Sequence, residues 1–241
     1  MLTKLANDDA GRKIRASLES EGINYQYIED ETSAERHTNL INKNGERISI
    51  YTDYGKFGQD FDIIAYEKSI EEADIILLDI CEFVKHLFPI LKKHKHKIWV
   101  DIHDFDGINP WHQEFLPFVN AVFMSSDVLE TEERVKEVVR TILLDKQFVV
   151  CMHGKKGAEY FSPDRKEIFQ DIVEQFSPID SNGAGDTFVS GYLYGVKNGF
   201  PAEICMKYAT FVSGFTIASP FLYNKDLSVE NLEQMYQQYF C

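Results

Sequence analysis

Hydrophobic and polar residues alternate with two different periods in the first part of the chain. Ile14 and Leu18 stand four positions apart among charged residues, which predicts an amphipathic helix from Asp8 to Glu21 that ends at Gly22. The segment INYQYI then alternates as a strand does. The segments TNLIN and RISIYT, joined by KNGE, predict an exposed β-hairpin, because Asn-Gly is a strong signal for a hairpin turn.

Short apolar runs alternate with helical patterns in the second part of the chain. The runs are ADIILLDI, KIWVDIHD, AVFMSS and QFVVCMHG, followed by the shorter strands AEYFS and EIFQDIV. Helices are predicted near residues 82–93, 111–118, 131–144, 184–198, 201–219 and 228–240. Buried strands separated by helices are typical of a parallel sheet covered on both faces. We therefore predict a doubly wound, mainly parallel α/β fold with one domain over residues 1–241.

Composition and charge narrow the function classes. A chain of 241 residues with 44% hydrophobic residues can bury a sizeable core, and a net charge of −14 argues against a protein that coats nucleic acid. The first twenty residues contain no apolar run of the length that a signal peptide or a membrane span needs. The four cysteines lie too far apart for a metal knuckle or a disulfide framework. We expect a cytoplasmic protein with no nucleic acid or membrane partner.

The segment DSNGAGDTFVSGYLYG carries the candidate chemistry. Gly183, Ala184 and Gly185 stand where a predicted helix begins, so their backbone N–H groups could approach an anion closely. Asp186 follows directly, and a carboxylate beside an anion site is suited to taking a proton from an attacking hydroxyl. The alternative is a tight turn in which Asp186 only caps the helix.

The same segment resembles the signature of the ribokinase-like, or PfkB, family of carbohydrate and nucleoside kinases. The resemblance implies a ribokinase-like fold, with Asp186 as the general base and Gly183, Ala184 and Gly185 as the anion hole for the γ-phosphoryl group of ATP. NDDAGRKIRASLESEGIN is similar to a helix of that family, and TNLINKNGERISIY is similar to its lid strands, here about residues 36–56.

Further residues acquire roles only through this resemblance. VVCMHGKKGAEYF is similar to the family's nucleotide loop, which implies nucleotide contacts for His153, Gly154 and Gly157, with the helix around Thr210 on the same side. Asp180 matches a position that helps some relatives to bind a monovalent cation such as K⁺. In DIHDFDG, Asp101, His103 and Asp104 are expected to line the active-site cleft, where relatives carry Asp-x-Asn, and a metal-ligand role is the alternative.

Three departures from the family pattern stand out. The family's opening strands are expected to be missing, because the matching helix begins only a few residues after Met1. SSDVLE replaces a magnesium-associated Asn-x-x-Glu motif, so Mg²⁺ is expected to be held by nucleotide phosphates and water. Met152 stands where relatives carry Thr or Ser to bond the nucleotide phosphates.

The sequence thus predicts an ATP-dependent, Mg²⁺-assisted kinase that phosphorylates a hydroxyl group of a small carbohydrate. The alternatives are a non-catalytic binding or regulatory protein that keeps the scaffold, and a nucleoside kinase. A homodimer through the lid hairpin is a further expectation. The sequence does not specify which sugar is the acceptor.

Overall fold

The computed structural model describes residues 1–30, 36–41, 47–53, 62–164 and 166–240. The chain divides into two compact units. The first comprises Met1–Ala73 and Cys81–Ile90, and the second comprises Asp74–Ile80 and Leu91–Cys241. The single domain expected over residues 1–241 stays a prediction.

The first unit begins with a strand that the sequence patterns did not predict. Strand β1 (Leu2–Ala6) pairs in parallel with β2 (Gln26–Asp30), and helix α1 (Asp9–Ser20) connects the two. Asp8 caps α1, because its Oδ1 accepts a hydrogen bond of 2.8 Å from the N–H of Gly11. The predicted helix and the strand after it are therefore confirmed.

The predicted hairpin is present as two antiparallel strands of the same unit. Strand β3 (Arg36–Ile41) pairs with β4 (Arg47–Asp53). The turn around Asn44 and Gly45 lies outside the described residues, as do positions 54–56 of the predicted lid. Helices α2 (Ile64–Glu72) and α3 (Glu82–Leu91) complete the elements that begin in this unit, and α2 was not predicted.

A six-stranded sheet forms the centre of the second unit. Its spatial order is β10-β9-β8-β7-β6-β5, with β5 to β8 parallel and β9 and β10 antiparallel. The strands are β5 (Ile76–Leu78), β6 (Ile98–Asp101), β7 (Ala121–Ser125), β8 (Phe148–Met152), β9 (Ala158–Phe161) and β10 (Glu167–Gln170). The predicted mainly parallel sheet is thus confirmed.

The remaining helices begin and end close to the predicted positions, with one exception. They are α4 (Pro110–Gln113), α5 (Glu132–Leu143), α6 (Ala184–Lys197), α7 (Ala202–Ile217) and α8 (Val229–Phe240). The helix predicted at 111–118 was wrong in length, because the chain passes from α4 into a separate 3₁₀ turn at Leu116–Phe118. Pro117 lacks the N–H that a continuous α-helix would need at that point.

An aromatic core fixes helix α6 on the sheet. The ring centroids of Trp99 and Phe148 lie 5.1 Å apart edge to face, and those of Phe123 and Tyr192 lie 5.4 Å apart in the same manner. All four side chains are buried in one cluster with residues of α7. Such edge-to-face pairs add to the stabilisation that burial of the rings provides. The position of α6 is therefore set by the sheet beneath it.

No described helix is both long enough and apolar enough to cross a membrane.

Close packing between α6 and α7 generates a stability prediction. A Cβ on Gly191 would lie 2.7 Å from the carbonyl oxygen of Tyr208 and 2.8 Å from the Cα of Ala209. Gly191→Ala should therefore lower the free energy of unfolding by about 1–3 kcal/mol through overpacking, although alanine favours helices. Urea denaturation measures the change. The control is Lys197→Ala on the exposed end of α6, and equal stability of the two variants would contradict the packing argument.

Candidate active site at the N-terminus of helix α6

Helix α6 begins from a left-handed residue. Gly183, the N-cap, has φ of +76°. A Cβ at this position would lie 2.3 Å from the carbonyl oxygen of Leu222, in the loop after α7. Both the backbone conformation and this close approach require glycine. The start of α6 is therefore fixed by its surroundings.

The first backbone N–H groups of α6 precede the ladder of helical hydrogen bonds. The first i to i−4 bond is donated by the N–H of Thr187 to the carbonyl of Gly183, at 3.0 Å. The N–H groups of Gly185 and Asp186 come before it, at the positive end of the helix dipole. The hydroxyl of Ser213 on α7 donates to the carbonyl of Ala184 at 3.0 Å, which holds this first turn in place. A helix N-terminus of this kind can bind an anion, and the anion hole at Gly183, Ala184 and Gly185 stays a prediction.

Asp186 lies in the first turn of α6 with an exposed side chain. Because the N-cap is Gly183, Asp186 does not cap the helix. The backbone carbonyl of Asp186 accepts a hydrogen bond of 2.9 Å from the hydroxyl of Ser190. The carboxylate projects from the same turn that presents the unpaired N–H groups.

Asp101 brings a second carboxylate to the start of α6. It ends β6 and is 8% exposed, and its Oδ1 accepts a hydrogen bond of 2.9 Å from the N–H of His103. Its Oδ2 lies 3.7 Å from the point where a Cβ on Gly185 would stand. Burial raises the pKa of the Asp101 carboxyl to about 6, and the positive charge of His103 opposes that increase.

His103 lies between two carboxylates. Its Nε2 is 3.4 Å from Oδ1 of Asp79, and its Nδ1 is 3.9 Å from Oδ1 of Asp101. The hydrogen bond to Asp79 raises the pKa of His103 to about 9. The sequence analysis missed Asp79, although its place directly after β5 was a usable signal, because the carboxyl ends of parallel strands meet at one edge of a sheet.

Asp104 lies beside His112 instead. Its Oδ1 is 4.0 Å from Nε2 of His112, whose ring is buried and packs against Phe105 at 5.5 Å between centroids. Burial lowers the pKa of His112. Asp106 accepts two backbone hydrogen bonds, from Ile108 and Asn109. The three acidic residues of DIHDFDG therefore have different partners: Asp101 lies near His103, Asp104 lies near His112, and Asp106 accepts backbone hydrogen bonds.

The predicted nucleotide loop is held together by a network around His153. The Nδ1 of His153 lies 2.8 Å from the hydroxyl of Ser126, and the Nε2 lies 3.0 Å from a carboxylate oxygen of Glu159. Gly154 and Gly157 have φ of +55° and +89°. Both ring nitrogens of His153 are engaged with the protein, so its side chain stabilises the loop.

The remaining candidate residues, Met152, Thr210 and Asp180, lie in three different parts of the second unit. Met152 ends β8, and its Cε lies 3.8 Å from the point where a Cβ on Gly185 would stand, so the thioether is next to the start of α6. Thr210 is buried in α7, with a hydroxyl that has no hydrogen-bond partner within the described part of the chain. The Oδ1 of Asp180 accepts a 2.9 Å bond from the N–H of Asn182, which shapes the turn before Gly183.

The described residues contain no group of three or more His, Cys, Asp or Glu side chains arranged to hold a metal ion. The protein side of the site therefore offers no dedicated metal cage within these residues.

Known proteins share this architecture. Residues 1–226 match the sequence pattern described as pfkB family carbohydrate kinase. The chain is 25% identical over 223 residues to an acarbose 7(IV)-phosphotransferase from Actinoplanes sp., across 90% of this chain and 73% of that protein. A microbiome-derived acarbose kinase, Mak1, has a TM-score of 0.82 at 23% identity, across 97% of this chain and 79% of that one. An Arabidopsis thaliana ribokinase, solved with ribose and ATP, has a TM-score of 0.80 at 18% identity, across 98% and 81%.

These similarities confirm the ribokinase-like fold, and the family pattern extends over most of the chain. The segment DSNGAGDTFVSGYLYG, which suggested the relationship, forms the turn before α6 and most of that helix. The chain belongs to the pfkB family of carbohydrate kinases.

Proposed function

We propose that this protein transfers the γ-phosphoryl group of ATP to a hydroxyl group of a small carbohydrate, with Asp186 as the general base. The observation that carries the proposal is the placement of an exposed carboxylate in the first turn of α6, directly after the left-handed Gly183. The fold and the family place the protein among carbohydrate kinases.

The reaction needs one proton acceptor and one anion site. The carboxylate of Asp186 takes the proton of the acceptor hydroxyl while the hydroxyl oxygen forms a bond to the γ-phosphorus. The bond from that phosphorus to the bridging oxygen of ADP breaks at the same time. Negative charge on the three equatorial oxygens is stabilised by the N–H groups at the start of α6, in the segment Gly183 to Gly185. Positioning and electrostatics supply most of the rate enhancement in this chemistry.

The loop at Gly154 to Gly157 is proposed to hold the nucleotide phosphates through backbone groups. No atom of the described residues lies within 4 Å of the point where a Cβ on Gly154 would stand, so a ligand could approach that backbone closely. His153 then acts by holding the loop, and Thr210 lies on the nucleotide side of the site.

Mg²⁺ is proposed to bind with the nucleotide. Mg²⁺ usually retains several waters and binds phosphate oxygens, so it does not need a cage of protein ligands. A K⁺ site at Asp180 stays a prediction.

The carbohydrate class of the acceptor follows from the relatives, and its identity is to be found by assay. ADP release from Mg·ATP is measured against acarbose, ribose, other aldoses and ketoses, and nucleosides. A nucleoside acceptor would favour a nucleoside kinase. Binding of ATP without turnover of any acceptor would favour a non-catalytic role.

The hairpin of β3 and β4 is proposed as a lid and as the surface of a homodimer in a cytoplasmic enzyme. Leu40 and Ile50 are exposed on it, at 55% and 46%. Exposed apolar side chains on a two-stranded hairpin fit a surface that another element covers. Light scattering of the purified chain tests the dimer.

Asp186→Asn separates catalysis from binding. The amide cannot accept the proton, so kcat should fall by about 10²- to 10⁴-fold, while the affinity for Mg·ATP stays near that of the unmodified protein. Steady-state kinetics and calorimetric titration measure the two quantities. Asp74→Asn, an exposed change just before β5, is the control that should retain full activity. An Asp186→Asn variant with normal kcat would contradict the mechanism.

Gly183→Ala tests whether close packing at the start of α6 matters for stability and activity. Gly199→Ala is the matched control. Gly199 has a similar φ of +73°, but nothing lies within 4 Å of the point where its Cβ would stand. Gly199→Ala should cost about 1–2 kcal/mol of stability from backbone strain alone. Gly183→Ala should lower stability further and also reduce kcat, because its Cβ collides with the backbone of Leu222. Urea denaturation and kinetics of both variants measure this, and identical behaviour would contradict it.

A further inference from the structure

Two features distinguish the backbone of His103. Its φ is +50°, the one left-handed value of a non-glycine residue in the part of the chain that the structure describes. Strained backbone of this kind often persists at functional sites. Its carbonyl oxygen accepts a hydrogen bond of 2.7 Å from the N–H of Ser125, which joins the ends of β6 and β7. The backbone of His103 is thereby held at the ends of these two strands.

Carboxylates from three elements act on this imidazole. Asp79 follows β5 and lies 3.4 Å from Nε2, and Asp101 ends β6 and lies 3.9 Å from Nδ1. The charge of Asp186 on α6 also acts on both His103 and Asp101. The other titratable ring nearby is His112, which stays less basic because it is buried and because His103 carries charge.

This arrangement creates an electrostatic problem for a kinase. The charges of Asp79, Asp101 and Asp186 all act on His103, and the proposed mechanism brings a negatively charged phosphoryl group to the start of α6, where these carboxylates would repel it. One fixed positive charge among them would reduce that repulsion. The side chain of His103 is 48% exposed, so part of the ring is open to solvent and to a ligand.

We propose that His103 is a positioning residue for phosphoryl transfer: held by Asp79, it places one imidazolium charge next to Asp101, whose carboxylate lies at the start of α6, and that charge offsets the carboxylates near the incoming phosphoryl group. This inference rests on the proposed kinase function and adds a residue pair, Asp79 and His103, to it. The imidazole of His103 is protonated below a pH of about 9, because its hydrogen bond to Asp79 favours the charged ring and raises its pKa. Asp101 is ionised above a pH of about 6. The required charges therefore coexist between these two values.

The test follows the affinity for Mg·ATP from pH 6 to pH 10, because this measurement requires no acceptor. His103→Asn keeps a residue that tolerates the left-handed conformation and removes the charge. At pH 7 its affinity should be about fivefold weaker than that of the unmodified protein. The difference should vanish near pH 10, where His103 has lost its proton. A loss of equal size at every pH would show a merely structural role and overturn the proposal.

Asp79→Asn provides a second variant that leaves the imidazole in place. Removing its carboxylate should move the titration of His103 toward lower pH, as observed by NMR of ¹³C-labelled histidine, with the His103 signal assigned by its loss in His103→Asn. The affinity for Mg·ATP should then be nearly normal at pH 6 and weakened at pH 8.5. A His103 signal that titrates near 6.5 in the unmodified protein would overturn the proposal.

His96→Asn is the matched control, because His96 is an exposed histidine at the opposite end of β6. It should leave the affinity for Mg·ATP unchanged at every pH. Failure of the proposed function has a different signature: the unmodified protein would then phosphorylate no acceptor at any pH, whether or not its nucleotide affinity depended on His103.

Discussion

The left-handed turn at Gly183 is the constraint on which the rest of the site depends. The backbone of Leu222 packs against Gly183, and the hydroxyl of Ser213 donates a hydrogen bond to the carbonyl of Ala184. Behind it, α6 is fixed by close approach to α7 and by the aromatic cluster on the sheet. Because these contacts define where the first N–H groups and Asp186 stand, the proposed anion site and the proposed base would be in place before a ligand arrives.

Electrostatics set the second constraint. A site that gathers Asp79, Asp101 and Asp186 near a phosphoryl group is favourable only if positive charge is present as well. The helix dipole, the proposed nucleotide-bound cation and the proposed imidazolium of His103 would be three sources of such charge. Asp101 is buried, and the backbone of His103 is held in a left-handed conformation. These charged groups therefore need little reorganisation during the proposed reaction.

The sequence predicted the parts of this structure that follow from periodicity and from one specific motif. The parallel strands, the long helices α5 to α8 and the start of α6 at Ala184 were recoverable because buried runs and GAG have strong local signals. Strand β1 and helix α2 were missed, since their apolar spacing is weak. The contact of Asp79 with His103 joins residues 24 positions apart, and such distant pairing depends on sheet order. The engagement of His153 by Ser126 and Glu159 depends on tertiary contacts for the same reason.

The central claim is that the protein carries out phosphoryl transfer to a carbohydrate hydroxyl, and ³¹P NMR of the reaction products tests it most directly. The purified chain is incubated with Mg·ATP and each candidate sugar, and the fate of the γ-phosphoryl group is followed over time. The account predicts a new phosphate monoester resonance coupled to a sugar proton, formed in step with ADP. Inorganic phosphate as the sole product, or unchanged ATP with every sugar tested, would contradict it.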